Sequence, residues 1–350
     1  MGADAAKGRR ELQARLFPQK VPALWCPMIV HYHGDGSIDL GRMERHLQKM
    51  LPDVSSFLLF GSTGDGWELD QHEKEMLFDA YALWAGQYGV KMLLGVLKKD
   101  AAETMAEIEA WLLRFKERAG VLDSQEAMAA CGVKGFTVCA PRGAGLSQEV
   151  IQRELEKILQ MGLPTALYQL PQMTQNEISP ETLLALADRY PNLFLFKDTS
   201  GRDKAARSGF DFGGVFFVRG MEGDYYRQYT GDAAYPGFLL STANCFAPLL
   251  KQMLEAADRG EAELAKDCSR LVWDAFGPVF DHTSALKDGN PYANANKCID
   301  HCLAFGDAWA EHPMPMRHCG KSIPGEYIAF AADTLSRMGL MAPKGYLSAP

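Results

Sequence analysis

A lysine closes one of the most apolar segments of the sequence, where Lys197 directly follows Leu-Phe-Leu-Phe at residues 193–196. An ammonium group in such surroundings is poorly solvated, and poor solvation favours the neutral amine. A neutral amine is a nucleophile that can attack a ketone, whereas an ordinary lysine with a pKa of about 10.4 is charged near pH 7. The pattern therefore allows Lys197 to form a Schiff base. The alternative is an ordinary ion pair with Asp198 at the end of the segment.

Two further segments place reactive groups at the end of an apolar run. Ser62 and Thr63 lie within Gly-Ser-Thr-Gly-Asp-Gly at residues 61–66, where two hydroxyls and exposed backbone N–H groups could grip a carboxylate or phosphate. The segment is neither a P-loop nor a GxGxxG motif, so an ordinary strand-to-helix turn stays open. Tyr168 ends another run, as either a proton-transfer group or a buried aromatic residue.

Other polar residues point to chemistry less directly. Arg142 lies in a glycine-rich segment and could meet a second substrate carboxylate or face solvent. His31 and His33 follow the first apolar run without a visible ligand partner, so we interpret both as loop histidines.

The cysteines favour reduced thiols over a disulfide framework or a metal site. The sequence has 8 Cys residues and no paired CxxC spacing. Cys298, His301 and Cys302 could share a helix face, but a structural zinc site needs four converging ligands. We interpret them as a helical core pair with a polar neighbour, and we expect neither a metal nor a cofactor.

The elements that must position these groups alternate between short apolar runs and longer segments of helical period, as in βαβ units. The predicted strands are Ala23 to Ile29, Ser56 to Ser62, Lys91 to Leu97, Gly135 to Ala140, Pro164 to Leu170, Leu193 to Asp198, Gly214 to Gly220 and Gly237 to Thr242. Nearly continuous apolar strands are typical of a parallel sheet covered on both faces. We therefore predict a (β/α)8 TIM barrel, with a doubly wound open sheet as the alternative. In such a barrel the active site lies at the C-terminal ends of the strands.

Helical spacing and capping residues define the rest of the chain. Helices are predicted at residues 39–51, 71–88, 101–118, 147–161 and 180–190, and then at 246–258, 262–276, 295–305 and 324–338, with a loop at 281–294. Asp70, Ser147 and the pair Ser179-Pro180 are predicted helix starts. We expect an N-terminal extension at 1–20, the barrel at 21–245 and a helical C-terminal region at 246–350.

Bulk composition limits the classes of partner. A net charge of −8 over 350 residues argues against nucleic acid and anionic membranes, which clustered Lys and Arg recognise. No apolar run approaches the about 20 residues of a membrane span, and the start lacks the apolar centre of a secretion signal. We therefore expect a cytoplasmic protein that acts on a small molecule.

Taken together, these segments resemble the dihydrodipicolinate synthase and N-acetylneuraminate lyase superfamily of pyruvate-dependent class I aldolases. The resemblance runs from about Pro22 to Asn244, in order and spacing. Its motifs are the Gly-Ser-Thr-Gly turn at 61–64, Tyr-x-x-Pro at 168–171, Lys-Asp-x-Ser-Gly at 197–201 and Ser-x-x-Asn at 241–244.

The resemblance implies a role for each matching residue. Lys197 is expected to form the imine, Tyr168 to shuttle protons, and Ser62 and Thr63 to bind the carboxylate of a 2-oxo acid. Further substrate-binding residues implied by the match are Gly64, Thr199, Gly220, Glu222 and Ser241. Glu222 stands where neuraminate lyases hold sugar hydroxyls, although a solvent-facing loop acid is also possible there.

Departures from the family pattern narrow the expected activity. The tyrosine-bearing segment that dihydrodipicolinate synthases carry after strand four reads Cys-Ala-Pro-Arg-Gly-Ala-Gly at 139–145, without a tyrosine. Gln169 replaces the usual Asn beside the strand-five tyrosine, and residues 119–130 form an insertion. These differences disfavour the lysine-pathway activity.

The first hypothesis is a Schiff-base lyase that cleaves a hydroxylated sugar acid and releases pyruvate. Alternatives are a 2-keto-3-deoxy sugar acid dehydratase, a dihydrodipicolinate synthase, and a catalytically silent barrel that binds a 2-oxo acid. The resemblance also implies a homo-oligomer, a tetramer or a dimer.

Overall fold

A computed structural model describes residues 2–231, 233 and 235–348 of the chain. Within them, parallel strands form one eight-stranded sheet in the order β1-β8-β7-β6-β5-β4-β3-β2. The strands are β1 (Leu24–Trp25), β2 (Ser56–Leu59), β3 (Lys91–Val96), β4 (Val133–Cys139), β5 (Thr165–Gln169), β6 (Leu193–Asp198), β7 (Phe216–Arg219) and β8 (Gly237–Leu239). A parallel bridge between Cys26 and Phe57 joins the two ends of the sheet. The (β/α)8 barrel is confirmed, and the open doubly wound sheet is excluded.

The strand residues divide between the barrel interior and the surrounding helices. Trp25, Leu58, Leu195 and Val218 pack in one cluster inside the barrel. Phe196 belongs to the larger cluster that the helices cover. Since side chains alternate along a strand, Leu195 and the residue two positions later face the interior.

Helices surround the barrel and continue beyond its last strand. They are α1 (Gly2–Leu16), α2 (Leu40–Met50), α3 (Gln71–Tyr88), α4 (Ala101–Ala119), α5 (Ser124–Ala130), α6 (Gln148–Leu159), α7 (Pro171–Thr174), α8 (Pro180–Arg189), α9 (Tyr225–Thr230), α10 (Ala243–Asp258), α11 (Ala262–Thr283), α12 (Pro291–Phe305) and α13 (Gly325–Arg337). The side chains of Asp70, Ser147 and Ser179 each accept a backbone N–H at a helix start, as predicted.

The structure contains the short helices α7 and α9, which the sequence analysis does not predict, and it differs further from the predicted elements at three segments. The extension at 1–20 contains α1, which the sequence analysis does not identify because few of its residues are apolar. The insertion at 119–130 contains the short helix α5, which Asp123 caps. The predicted loop at 281–294 is wrong at both ends: α11 continues to Thr283, and α12 begins at Pro291 with Asn290 as its N-cap.

The N-terminal helix α1 packs at the N-terminal end of the barrel strands. The Arg9 side chain is fully buried and donates hydrogen bonds to carbonyl oxygens at the start of β6 and the end of α8, including those of Leu193 and Ala187. Phe17, just after α1, packs against Trp25 and Phe194. The helix therefore closes the end of the barrel opposite the active-site face.

None of the helices in the described part of the chain combines the length and the apolar character needed to cross a bilayer.

Candidate active site

Lys197 points into the mouth of the barrel from the end of β6. Its side chain is 3% exposed, and its Nζ lies 4.0 Å from the ring centroid of Tyr168, the paired residue on β5. Burial lowers the pKa of the Lys197 amine to about 7, with Cys139 and Glu222 acting weakly in the opposite direction. A large fraction of the amine is therefore neutral near pH 7.

The ion pair between Lys197 and Asp198 is not formed, because successive strand residues face opposite sides of the sheet. The Asp198 carboxylate lies outside the barrel, where it accepts the backbone N–H of Ser200 at 2.8 Å and faces the Tyr235 hydroxyl at 3.4 Å. Burial raises the pKa of Asp198. The alternative interpretation of Lys197 as a strand-end partner of Asp198 is therefore wrong.

A cavity of about 220 Å³ opens above the Lys197 amine. Most of the predicted site residues line it, whereas Gly64 and Glu222 do not. The lining residues are Pro27, Ser62, Thr63, Tyr168, Leu170, Gln172, Met173, Lys197, Thr199, Gly220, Met221, Leu239, Ser241, Asn290, Pro291 and Tyr292.

The glycine-rich segment after β2 forms a tight turn at the cavity wall. Residues Ser62–Gly64 form one turn of 3-10 helix, and both Ser62 and Thr63 are buried. A Cβ atom on Gly64 would lie 2.6 Å from the Met28 carbonyl oxygen, so this glycine allows close packing and does not line the cavity. The Ser62 Oγ accepts a hydrogen bond from Asn290 Nδ2 at 3.0 Å. The Ser62 hydroxyl hydrogen stays available to a carboxylate.

Around the amine, Gly220 and Thr199 shape the space on either side. A Cβ atom on Gly220 would lie 2.8 Å from Lys197 Cε and 2.4 Å from Thr199 Cγ2, so any larger residue would displace the lysine. The Thr199 hydroxyl donates to the Gln169 carbonyl at 2.6 Å. Burial raises the pKa of the Tyr168 phenol well above its ordinary value, which keeps the phenol protonated. Tyr168 can therefore donate a proton to a group at the amine.

Glu222 lies outside the cavity lining and holds one of the lining residues, Ser241, in place. Its carboxylate accepts hydrogen bonds from Ser241 Oγ at 2.7 Å, Thr242 Oγ1 at 2.7 Å and the Tyr225 hydroxyl at 2.9 Å. The Thr242 backbone N–H donates to the same group at 3.1 Å. Both carboxylate oxygens are thus engaged within the protein, and Glu222 positions Ser241 at the cavity.

The sequence analysis missed the C-terminal contribution to the site. Asn290, Pro291 and Tyr292 reach over the barrel mouth from the start of α12. The available signal was the Asn-Pro pair, which has the same cap-then-proline pattern as Ser179-Pro180.

His31 lies in an irregular segment between β1 and α2, as predicted, but its side chain belongs to a buried polar cluster that the sequence analysis does not identify. Its Nε2 lies 3.0 Å from His46 Nδ1 and 3.6 Å from Asp300 Oδ2. Burial lowers the pKa of both histidines. The nearest atoms of the three residues lie within 4.8 Å of one another, as metal ligands could. However, Arg42 Nη2 already pairs with Asp300 at 3.1 Å and the Tyr346 hydroxyl contacts both carboxylate oxygens, so we assign no metal there.

The remaining candidates lie away from the cavity. The exposed side chain of His33 lies 3.6 Å from Asp39. Arg142 is exposed on its loop. Cys298 and Cys302 are fully buried in the core, and the neighbouring His301 bonds the Trp309 carbonyl through Nε2 at 2.8 Å.

Sequence comparison relates this chain to one enzyme family. The profile of the Dihydrodipicolinate synthetase family matches residues 121–280. Over 238 residues the chain is 24% identical to 4-hydroxy-tetrahydrodipicolinate synthase 1 of Streptomyces coelicolor, covering 67% of this chain and 71% of that protein. The corresponding enzyme of Xanthomonas axonopodis pv. citri is 29% identical over 246 residues, covering 69% and 72%.

Solved structures share the same fold. YagE, an E. coli K12 prophage protein of the dihydrodipicolinic acid synthase family crystallised with pyruvate, superposes with a TM-score of 0.71 at 18% identity, covering 91% of this chain and 98% of that one. The dihydrodipicolinate synthase of Thermotoga maritima superposes with a TM-score of 0.70 at 16% identity, covering 91% and 99%. The shared fold and the sequence match point to the same group of proteins. The chain is therefore similar in sequence to proteins of the Dihydrodipicolinate synthetase family, and it shares the fold of solved members of that family.

Proposed function

We propose that this protein is a Schiff-base aldolase that cleaves a 4-hydroxy-2-oxo acid and releases pyruvate, with Lys197 as the nucleophile. The observation that carries the proposal is the buried Lys197 amine, whose pKa is about 7, beside the Tyr168 ring in a cavity walled by the Ser62–Gly64 turn. A neutral amine and a carboxylate-binding turn suit imine formation from a 2-oxo acid, and a protonated phenol suits the proton transfers that follow it.

The reaction balances without a redox partner. The Lys197 Nζ attacks the C2 carbonyl, and the carbonyl oxygen leaves as water to give an iminium ion. Removal of the C4 hydroxyl proton then breaks the C3–C4 bond, and the electron pair moves into the iminium to form an enamine while an aldehyde departs. Protonation at C3 and hydrolysis by water release pyruvate and restore the free amine.

Within this scheme Tyr168 moves protons between the amine and the departing groups, and Ser62 and Thr63 hold the substrate carboxylate. Thr199, Gly220 and Ser241 shape the same cavity. Gly64 and Glu222 act indirectly, Gly64 through turn packing and Glu222 through its hydrogen bond to Ser241.

A dehydratase is the alternative that uses the same imine. Loss of the C3 proton, followed by expulsion of the C4 hydroxyl as water, would keep the carbon chain intact. Mass analysis of the products separates the two activities, because only the aldolase releases pyruvate. A hydroxylated sugar acid as substrate, the homotetramer and the cytoplasmic location stay predictions.

The test of the imine is borohydride reduction in the presence of pyruvate. We expect a stable adduct on the peptide that contains Lys197, and its loss in Lys197→Ala. Lys134→Ala is the matched control, because burial also lowers the pKa of Lys134, although that residue lies near the start of β4 and away from the cavity. An adduct that persists in Lys197→Ala, or none in the wild type, contradicts the proposal. If the wild type forms no adduct, the alternative that survives is a catalytically silent barrel that binds a 2-oxo acid.

A further inference from the structure

We infer that the aldehyde released at this site, or added to pyruvate in reverse, is small and uncharged with an apolar tail. This inference rests on the proposed aldolase function and identifies its second substrate. Such an aldehyde differs from the polyhydroxylated fragment that would leave a hydroxylated sugar acid, the substrate implied by the sequence resemblance. Three features of the cavity lead to it: its charge, its engaged polar groups and its apolar walls.

The cavity offers no cation to a second carboxylate. Among its lining residues in the described part of the chain, Lys197 is the only charged side chain, and the imine would consume that amine. Arg219 directly precedes the cavity residue Gly220 in the chain. Its guanidinium, however, pairs with Asp203 at 3.2 Å and donates to the Met221 carbonyl at 2.7 Å. A carboxylate on the aldehyde would therefore be buried without a partner, which is costly.

The polar groups that could bind sugar hydroxyls are largely engaged within the protein. Ser241 donates to Glu222, and Thr199 donates to the Gln169 carbonyl. Gln172 Nε2 donates to the Thr199 carbonyl at 3.0 Å. The Asn290 side chain donates to Ser62 and caps α12 through its Oδ1. A polyhydroxylated tail would find acceptors here but few free donors, so it would recover only part of the hydrogen bonds that it makes to water.

The rest of the cavity lining is largely apolar and comes from segments that follow the barrel strands and from the start of α12. Its apolar members include Leu170 and Met173 after β5, Met221 after β7, and Pro291 with the Tyr292 ring at the start of α12. The Tyr292 ring is held by Phe280, with ring centroids 4.6 Å apart, and its hydroxyl faces the Met221 sulfur at 4.0 Å. Methionine side chains adapt to flat or aliphatic groups. The volume of about 220 Å³ is below that of pockets for drug-sized ligands, so the tail is short or a single ring.

The experiment compares aldehydes as partners of pyruvate in the aldol direction. Benzaldehyde and 4-carboxybenzaldehyde differ only by the carboxylate, and glyceraldehyde represents a hydroxylated tail. Product formation is followed by mass analysis. We expect kcat/KM for benzaldehyde to exceed both others by about tenfold or more, since tenfold corresponds to about 1.4 kcal/mol and an unpaired buried charge costs at least that.

Two variants test the assigned walls. Met173→Arg supplies the missing cation, and it should raise the ratio of 4-carboxybenzaldehyde to benzaldehyde turnover by about tenfold. Tyr292→Ala should lower kcat/KM for benzaldehyde by about tenfold, while borohydride trapping of pyruvate is retained. Tyr88→Ala at the far end of α3 is the matched control, with unchanged kinetics.

The outcomes separate this inference from the proposed function. If borohydride traps no pyruvate on the wild-type protein, the proposed aldolase function is contradicted. If pyruvate is trapped but glyceraldehyde or 4-carboxybenzaldehyde reacts as well as benzaldehyde, or benzaldehyde does not react, the apolar substrate class is overturned and the imine chemistry stands.

Discussion

At the scale of single residues, the reactivity of this protein depends on where one amine lies. Lys197 is surrounded by the barrel interior, and Asp198, the acid next to it in sequence, faces the other side of the sheet. Desolvation therefore lowers the pKa of the amine, and the more distant charge of Glu222 offsets this effect only in part. The Glu222 carboxylate itself is held by hydrogen bonds from Ser241, Thr242 and Tyr225.

The lowered pKa of Lys197 predicts the pH dependence of imine formation. Below a pKa of about 7 the amine is protonated and cannot attack a ketone, so the rate should rise with pH through about 7 and then level off. The measurement is the rate of adduct formation with pyruvate and cyanoborohydride between pH 5 and pH 10, read by mass. A rate that keeps rising up to pH 10 would show an ordinary lysine pKa.

Tyr168→Phe separates proton transfer from imine formation. The phenylalanine keeps the ring that lies 4.0 Å from the Lys197 amine but removes the hydroxyl. We expect pyruvate trapping to be retained and turnover to fall by about 100-fold, the scale of a positioned proton-transfer group. Unchanged turnover in steady-state kinetics would remove Tyr168 from the mechanism.

Residues whose surroundings are local could be predicted from the sequence. Lys197 and Tyr168 each end an apolar run, and strand alternation alone orients them. His31 and Glu222 could not be interpreted this way, because their partners lie far along the chain: Asp300 for the first, Ser241 and Thr242 for the second. A single sequence carries no sign of such contacts.

At the scale of elements, α12 connects the C-terminal region to the active site. Its N-cap residue, Asn290, accepts the backbone N–H groups of Tyr292 and Ala293 and donates to Ser62. The same side chain therefore starts the helix and orients the turn that we propose binds the substrate carboxylate. The helix start and the cavity wall are coupled through one amide group.

Asn290→Asp and Asn290→Ala distinguish the two roles of that amide. Aspartate caps a helix as well as asparagine, so Asn290→Asp should keep stability within about 0.5 kcal/mol, whereas Asn290→Ala should lose about 1 kcal/mol. Both variants lose the donor to Ser62, so KM for pyruvate should rise by about tenfold in each. Urea unfolding and steady-state kinetics measure the two effects. A KM that changes only in Asn290→Ala would show that the contact with Ser62 is unimportant.

Elements with a strong local sequence pattern could be predicted, and elements without one could not. The strand β6 and the helices α3 and α8 were predicted within one residue, because long apolar or amphipathic patterns and caps define them. The helix α1 was missed, since few of its residues are apolar and its Arg9 hydrogen bonds reach residues about 180 positions away.

At the scale of the whole molecule, a helix outside the β/α alternation covers each end of the barrel. The N-terminal helix seals the end where the strands begin, and the start of α12 covers the end where Lys197 lies. The proposed division into an N-terminal extension at 1–20, a barrel at 21–245 and a C-terminal region at 246–350 stays a prediction. However, residues from the C-terminal region complete the cavity, so function does not divide at residue 245.

Arg9→Ala tests whether the N-terminal closure is structural alone. The buried Arg9 guanidinium donates to the carbonyl oxygens of residues in three segments, including Leu193 and Gly213, and burial lowers its pKa to about 10. Its removal leaves those carbonyls without donors and should lower the free energy of unfolding by about 2–5 kcal/mol. The exposed neighbour Arg10 gives the matched control, because Arg10→Ala should change stability by less than about 0.5 kcal/mol. Since α1 lies at the opposite end of the barrel from Lys197, pyruvate trapping per folded molecule should be unchanged in both variants. Guanidinium unfolding measures the stability of both variants, and pyruvate trapping is measured at a temperature where both are folded. Loss of trapping in folded Arg9→Ala would mean that the N-terminal helix also sets the position of Lys197 on β6.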